Sequence, residues 1–234
     1  MKKAPGQLAA VLFDFDGVIV DTEPLHCEAF RQIIEPLGIE LPWAAYQREY
    51  IGFDDRDAFR AIFRDAGRAL SEETLPELIG AKAEAFGALA ETRGVEPYPG
   101  VAHLVHALVG RIPLALCSGA LRCDLEPILD RIGLRECFAV FVTAEDVAVS
   151  KPDPESYREA LRRLACRFPD QDFPPAACVA IEDTPAGIAA AHGAGVRVLS
   201  VLTTHGESEL AGSDRVVASL ESIAPTDLEA LVRA

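Results

Sequence analysis

Five short apolar runs, each about the length of one strand, recur along the chain with helical patterns between them. The runs cover residues 9–13, 112–117, 138–142, 178–181 and 196–202. None of them alternates cleanly between apolar and polar residues, which is typical of strands buried on both faces of a parallel sheet. Helical patterns fall at 99–109, 120–131, 154–166 and 184–193. The sequence therefore predicts an α/β fold, a doubly wound parallel sheet with a Rossmann-like core.

The alternation stops between residues 22 and 94, where helical patterns are present without a convincing strand. Three helices are predicted there, over 23–37, from Asp54 onward, and over 73–91. Asp54 is a suitable N-cap, and Phe59 and Phe63 then share one face of the middle helix. The stretch therefore predicts an all-helical insertion after the first strand.

We interpret residues 22–94 as a helical cap domain, and residues 1–21 and 95–234 as the α/β catalytic core. The linkers would lie near 20–23 and 94–99. Ligands of such sheets bind beyond the carboxyl ends of the strands, so an insertion that leaves the first strand would cover that edge.

The composition restricts the partners of the chain. Its 234 residues are half apolar and carry a net charge of −15. Such an acidic chain repels phosphate backbones and anionic lipid, so we expect neither nucleic-acid nor membrane binding. The six cysteines lack zinc-ligand spacing, and the first residues do not have the pattern of a signal peptide or a membrane span. We therefore expect a cytoplasmic protein, and no feature of the sequence requires more than a monomer.

Two aspartates separated by one residue directly follow the first predicted strand. In Asp14-Phe15-Asp16-Gly17 the period of a strand places both carboxylates on one side. Carboxylates that close repel each other, so one holds a proton or both need a cation. The pair suits phosphoryl transfer, in which one carboxylate attacks and the other protonates the leaving oxygen. By itself the segment is equally consistent with two solvated aspartates that open a turn.

Three further polar segments follow later strands. Ser118 and Gly119 can offer O–H and N–H donors to a phosphate, although Ser-Gly after a strand is more often only a turn. Lys151 can neutralise a carboxylate and a phosphoryl group, but an isolated lysine is usually solvated. Glu182 and Asp183 can complete an oxygen-rich Mg²⁺ site with Asp14, or Asp183 can simply cap the next helix. The four segments together predict one site at the edge of the sheet.

In this order, the four segments resemble the motifs of the haloacid dehalogenase-like superfamily. DFDGVIVDTEPLH is similar to its first motif, CSGA to its second, KPDP to its third and IEDTPAG to its fourth. The resemblance covers nearly the whole chain. The helical insertion is similar to the small cap of the phosphatase and β-phosphoglucomutase-like subgroup.

The resemblance implies a Mg²⁺-dependent phosphatase that acts on a small phosphorylated metabolite, such as a sugar phosphate or phosphoglycolate. Asp14 would attack phosphorus and form an aspartyl-phosphate. Asp16 would protonate the leaving alcohol and then activate the hydrolytic water, and its backbone carbonyl would bind Mg²⁺. True dehalogenases of the superfamily lack the second aspartate of the pair, so Asp16 favours phosphoryl transfer.

The remaining roles are also implied by the resemblance. Ser118 and Gly119 would hold the phosphoryl group, and Lys151 would bridge Asp14 and the phosphate. Asp183 would bind Mg²⁺ together with Asp14 and Asp16, and Glu182 would be a further ligand or would support the ligands from behind.

Two alternatives remain open at this point. A hexose-phosphate mutase similar to β-phosphoglucomutase shares the segment that contains His26, but it has Ser-Lys where this chain has Ala120-Leu121. It also has an arginine three residues after a cap glycine, whereas Gly52 is followed there by Asp55, with Arg56 one residue later. A non-catalytic phosphate-binding module is the other alternative, and it would not need Asp16.

Two residues of the predicted cap are possible substrate contacts. His26 can face the site from the first cap helix, although it can equally be structural. Arg56 can meet the far end of the substrate, or it can pair with a neighbouring acid on its own helix.

Overall fold

Six parallel strands form one sheet in the computed structural model, which describes residues 7–233. The strands are β1 (Ala10–Phe13), β2 (Leu114–Cys117), β3 (Val140–Val142), β4 (Cys178–Glu182), β5 (Arg197–Val201) and β6 (Arg215–Val217). Their order is β3-β2-β1-β4-β5-β6. Because the strand order reverses direction between β1 and β4, the ligand-binding crevice of a doubly wound sheet belongs at that point.

Helices cover both faces of the sheet. The α-helices are α1 (Glu23–Ile34), α2 (Trp43–Glu49), α3 (Asp55–Asp65), α4 (Leu75–Arg93), α5 (Val101–Leu108), α6 (Arg122–Arg131), α7 (Glu155–Arg167), α8 (Pro185–Gly193) and α9 (Pro225–Leu231). Val11 and Phe13 of β1 pack in the cluster that contains α5, α6 and α9. Ala10 and Leu12 pack in the cluster that contains α7 and α8. Successive residues of the strand therefore face opposite layers, which explains its uninterrupted apolar sequence.

Helices α1 to α4 form the insertion between β1 and α5. They have an apolar centre of their own, which includes Phe30, Tyr46 and Phe59. Phe86 of α4 instead packs with the residues of the α/β core. The two chain crossings lie side by side, since Val20 forms a β-bridge with Pro97. The insertion is thus seated on the carboxyl edge of the sheet.

The predicted fold class, a doubly wound parallel sheet with an inserted helical cap, is confirmed. All five predicted strands are present, with ends that differ by no more than two residues. Strand β6 and helix α2 were not predicted. Of the sequence assigned to the core, residues 1–6 and Ala234 lie outside the described part of the chain. Within residues 7–233, no helix combines the length and the apolar character needed to cross a bilayer.

Candidate active site

The predicted site residues converge because the strands that precede them are in register. Phe13 of β1 is paired with Leu116 of β2 on one side and with Ile181 of β4 on the other. Asp14, Ser118 and Glu182 therefore leave the sheet at the same edge. Lys151 arrives there from the loop after β3, which is the neighbour of β2.

The ammonium group of Lys151 joins two buried carboxylates. Its Nζ lies 2.7 Å from Asp14 Oδ1 and 2.6 Å from Glu182 Oε1, and it also donates to the carbonyl oxygen of Cys117. Glu182 Oε1 accepts a second hydrogen bond from the Tyr157 hydroxyl. Burial alone would lower the pKa of Lys151, but the two carboxylates outweigh it, so the pKa lies above its usual value. The lysine is a fixed positive charge beside Asp14.

Two glycines allow the carboxylates at the end of β4 and directly after it to approach the neighbouring backbone. A Cβ at Gly187 of α8 would lie 2.0 Å from the carboxylate of Glu182, and a Cβ at Gly17 would lie 1.9 Å from Asp183 Oδ2. Gly17 also has φ +77°, a conformation that other residues rarely adopt. Both glycines are therefore required by the position of the acids.

Three carboxylates form a group that fits a divalent cation. Asp14, Glu182 and Asp183 each place one oxygen within 4.8 Å of the others. Asp183 Oδ2 accepts a hydrogen bond from Thr204, whereas its Oδ1 is buried without a hydrogen-bond partner. Burial, together with the charges of Asp14 and Glu182, raises the pKa of Asp183 well above its usual value. Hard oxygen donors in such a cluster are the ligands that Mg²⁺ prefers, so these residues fit the ion.

The acids of this group are not equally available to an ion. Both oxygens of Glu182 already accept hydrogen bonds within the protein, Oε1 from Lys151 and Tyr157 and Oε2 from the backbone N–H of Asp183. Burial raises the pKa of Asp14 to about 8, with Lys151 opposing this and Glu182 and Asp16 adding to it. A divalent cation bound by these acids would supply the counter-charge that keeps Asp14 ionised.

The side chain of Asp16 is held apart from the carboxylate group. Its Oδ1 accepts a hydrogen bond from the Thr22 hydroxyl and lies 3.4 Å from His26 Nε2. Burial acts to raise its pKa, but the hydrogen bonds from His26 and Thr22 outweigh it, so the pKa of Asp16 is lower than usual. Asp14 and Asp16 therefore have opposite environments, one with a raised and one with a lowered pKa.

His26 connects Asp16 to the interior of the cap. Its ring stacks on Phe86 with 4.1 Å between centroids, and its Nδ1 lies 2.7 Å from Nζ of Lys82. Lys82 is fully buried and lies 2.7 Å from Asp55 Oδ1. His26 thus faces the site as the sequence suggested, and it is positioned by a lysine that sequence analysis did not identify.

The predicted phosphate-binding residues occupy different positions. Gly119 lines the pocket, whereas the Ser118 hydroxyl is buried below it and accepts from the backbone N–H of Ala120. Arg56 is not among the residues that line the pocket, and it pairs with Asp54 at 2.6 Å. One of its terminal nitrogens also reaches the carbonyl oxygen of Val147. The pairing with a neighbouring acid is therefore the arrangement that the structure contains.

Sequence analysis missed several residues that support the site. They are Thr22, Lys82, Tyr157 and Thr204. Lys82 alone had a usable signal, because it falls between Leu75, Ile79, Phe86 and Leu89 on the apolar stripe of α4. A lysine on a buried stripe indicates a buried partner.

One pocket contains the site, between the edge of the sheet and the cap. Its walls are formed by Asp14, Asp16, Glu23, His26, Phe30, Tyr46, Gly52, Phe53, Asp55, Gly119, Ala120, Lys151 and Thr184. A capped α/β core with paired acids and a lysine at its switch point defines an enzyme that handles an anionic substrate. A family model of haloacid dehalogenase-like hydrolases matches residues 8–195, and the chain belongs to that family.

Relatives and solved structures agree with this assignment. Protein CbbY of Cereibacter sphaeroides is 32% identical over 96% of this chain and 99% of its own length. Fructose-1-phosphate phosphatase YqaB of Escherichia coli is 30% identical over 82% of this chain and 96% of its own. A crystal structure of CbbY from Rhodobacter sphaeroides in complex with xylulose-(1,5)-bisphosphate has a TM-score of 0.83 and 28% identity, covering 95% of this chain and 99% of the other. The predicted class, a phosphoric monoester hydrolase of this superfamily, is confirmed.

Proposed function

We propose that the chain is a Mg²⁺-dependent phosphatase that hydrolyses a small phosphomonoester through an aspartyl-phosphate on Asp14. The substrate would be of the sugar phosphate or phosphoglycolate type. The observation that carries the proposal is the contact of Lys151 with Asp14, beside an independently hydrogen-bonded Asp16. Relatives whose names include a fructose-1-phosphate phosphatase and a validoxylamine A 7'-phosphate phosphatase support the substrate type.

Asp14 and Asp16 would divide the chemistry between them. Asp14 attacks phosphorus, while Lys151 holds positive charge against the carboxylate and the phosphoryl oxygens. A substrate phosphate between the two aspartates adds negative charge, which raises the pKa of Asp16 and lets it take up a proton. Asp16 gives that proton to the leaving oxygen and then accepts one from the water that cleaves the aspartyl-phosphate. His26 and Thr22 fix the direction of Asp16 in both steps.

Asp14, Asp183 and the backbone of Asp16 would hold the Mg²⁺, with Glu182 orienting Lys151 rather than binding the ion directly. When bound, Mg²⁺ supplies positive charge that offsets the carboxylates and the phosphoryl oxygens. The unpartnered Oδ1 of Asp183 supports this ligand set.

The phosphoryl group would be held by backbone donors after β2. Gly119 lines the pocket and contributes its N–H, while Ser118 shapes the turn through its hydrogen bond with Ala120. Arg56 would join the cap to the core, because it donates hydrogen bonds to Asp54 and to the carbonyl oxygen of Val147 in the loop before Lys151. All of these residues come from one chain, so a monomer is sufficient. The free cysteines of the described residues are consistent with a reducing cytoplasm.

The test is phosphate release from a panel of phosphorylated metabolites, with and without Mg²⁺. Asp14→Asn removes the nucleophile but keeps its shape, so we expect a loss of roughly 10⁴-fold in kcat. Asp172→Asn is the matched control and should retain activity, because Asp172 is exposed and lies before the amino end of β4, whereas the site lies beyond the carboxyl ends of the strands. Activity of the Asp14→Asn variant equal to that of the wild type would show that the nucleophile is misassigned.

Product analysis in the same reactions separates hydrolysis from the mutase alternative. Hydrolysis yields inorganic phosphate in step with substrate loss. A mutase returns the phosphoryl group to the sugar, so an isomerised sugar phosphate would accumulate without equivalent phosphate. We expect the first result, because Asp55 stands where the mutase pattern has an arginine.

A further inference from the structure

The wall of the pocket that faces Asp14 and Asp16 from the cap is acidic. Glu23 at the start of α1 and Asp55 at the start of α3 both line it, and both are buried. Tyr46 binds one oxygen of Glu23 at 2.7 Å. A substrate whose phosphate lies at Asp14 must place its other end against this wall.

Asp55 has an oxygen that nothing in the described protein satisfies. Its Oδ1 binds Lys82, but its Oδ2 is buried and has no hydrogen-bond partner. A buried acceptor without a donor is costly, so a group that enters the pocket with an O–H or N–H would be bound in preference. Asp55 Oδ2 can therefore accept a hydrogen bond from a donor group of the ligand.

Positive charge for a second phosphate is missing from this wall. Among the described residues that line the pocket, Lys151 is the only lysine or arginine, and it belongs to the Asp14 end. Lys82 is fully buried behind Asp55, and Arg56 is engaged by Asp54. The N-terminus of α3 is also occupied, because Asp54 accepts the N–H of Asp57. A second phosphate would therefore lie beside the carboxyl groups of Glu23 and Asp55 without a cation of its own, because Lys82 is already paired with Asp55 behind the wall.

Resting on the proposed function, we propose that the preferred substrates are phosphomonoesters whose far end carries hydroxyl or ammonium donors, and that a second phosphate at that end is rejected. Asp55 is the residue that sets this preference, with Glu23 as its neighbour. The inference separates this chain from its relative that was crystallised with xylulose-(1,5)-bisphosphate.

The experiment compares kcat/KM for sugar monophosphates and their bisphosphates in the Mg²⁺-loaded protein. The probes are fructose 1-phosphate with fructose 1,6-bisphosphate, and glucose 6-phosphate with glucose 1,6-bisphosphate. Glucosamine 6-phosphate tests an ammonium against a hydroxyl donor, and acetyl phosphate supplies a phosphate without a far end. In the pair with the faster monophosphate, we expect the bisphosphate to be at least about tenfold slower.

Asp55→Asn should narrow the ratio between monophosphate and bisphosphate, and Asp55→Arg should narrow it further. Asp57→Asn is the matched control, since Asp57 lies in the same turn of α3 but is exposed, and it should keep the wild-type ratio. A general loss of activity lowers kcat/KM for the monophosphate and for the bisphosphate by the same factor, so it leaves their ratio unchanged. If the role of Asp55 were purely structural, Asp55→Asn would therefore keep the wild-type ratio.

Three outcomes overturn the inference. They are equal rates for monophosphate and bisphosphate in the wild type, an unchanged ratio in Asp55→Asn, and sugar monophosphates no faster than acetyl phosphate. Failure to hydrolyse acetyl phosphate and every sugar phosphate is a different result. It would overturn the proposed function, and this inference with it.

Discussion

Gly187 shows how a single hydrogen atom at Cα determines the position of a charged side chain. The carboxylate of Glu182 lies where a Cβ at this position would be, 2.0 Å away. In Gly187→Ala the methyl group would displace Glu182 from Lys151 and Tyr157. We expect the free energy of unfolding to fall by about 1–3 kcal/mol, the usual cost of overpacking, and kcat to fall with it. Chemical denaturation and phosphate release measure the two effects.

Gly80 in α4 provides the matched control for that substitution. It is also a helical glycine, but it is exposed, and a Cβ added there would have open space within 4 Å. Gly80→Ala should therefore raise the free energy of unfolding by about 0.5–1 kcal/mol, because alanine is the better helix former. If Gly187→Ala stabilised the protein as much as Gly80→Ala, the Glu182 carboxylate could not lie so close to the Cα of Gly187.

Thr204, in the loop after β5, supports Asp183 because its hydroxyl donates a hydrogen bond to the Asp183 carboxylate. Thr204→Val keeps the shape of the side chain but removes the donor. We expect the affinity for Mg²⁺ to fall by about 10–100-fold, which is typical when a partner of a metal ligand is lost. Titration calorimetry with Mg²⁺ measures the affinity directly, and Thr92→Val on the exposed face of α4 is the control. Unchanged affinity in Thr204→Val would show that this hydrogen bond does not support Asp183 as a metal ligand.

At the scale of elements, the sequence predicted what local chemistry determines. Helix α3 begins at Asp55 because Asp54 caps it, and α8 begins at Pro185 because Thr184 accepts the N–H of Gly187. The five central strands were recognisable because both of their faces are buried. Strand β6 was missed since it has three half-buried residues at the edge of the sheet, where the pattern of full burial does not apply. Helix α2 has only seven residues, too few for a periodic pattern.

The residues of the site were predictable from the sequence only where they follow a strand. Asp14, Lys151 and Asp183 were found because parallel strands end at one edge. Thr204 and Tyr157 were not found, because their contacts with the acids depend on how α7 and the loop after β5 pack. Such contacts join residues far apart in the sequence, and no local pattern records them.

Helices α4 and α6 meet at a buried charge that makes stability depend on pH. Burial raises the pKa of Asp124 to about 6, although Lys82 at 3.8 Å opposes the shift. The folded pKa thus lies above the unfolded one, so the native state holds a proton that the unfolded state releases between about pH 4 and 6. The stabilisation that this bound proton gives to the native state is fully present below pH 4, and it is lost as the pH rises through 6.

Asp124→Asn should therefore stabilise the protein at pH 8, by about 1–3 kcal/mol, and the gain should shrink as the pH falls to 5. Urea denaturation at several pH values measures the difference. Asp130→Asn is the control on the same helix, because Asp130 is exposed, and it should not give a comparable gain in stability at pH 8. A gain that grew toward pH 5 would show that the sign of the shift is wrong.

At the scale of the whole molecule, the cap is held against the core by contacts around the pocket. Asp54 of the cap accepts a hydrogen bond from Ser150, and Arg131 of the core reaches the carbonyl oxygens of Ala90 and Glu91 at the end of α4. The crossings at 20–23 and 94–99 are short and adjacent. We propose that the cap, residues 22–94, closes over the substrate about these two linkers.

Trypsin can test the closure, because Arg93 is exposed and lies directly before the second linker. Cleavage there requires local opening, so orthovanadate with Mg²⁺, a mimic of the phosphoryl group, should slow it several-fold. Asp54→Ala removes the bond to Ser150 and should speed it. Cleavage after Arg68, in an exposed loop within the cap, reports on the cap alone and should not respond to the mimic. Equal responses at Arg93 and Arg68 would mean that the mimic stabilises the cap itself, and no response at either would mean that the linkers do not move with the substrate.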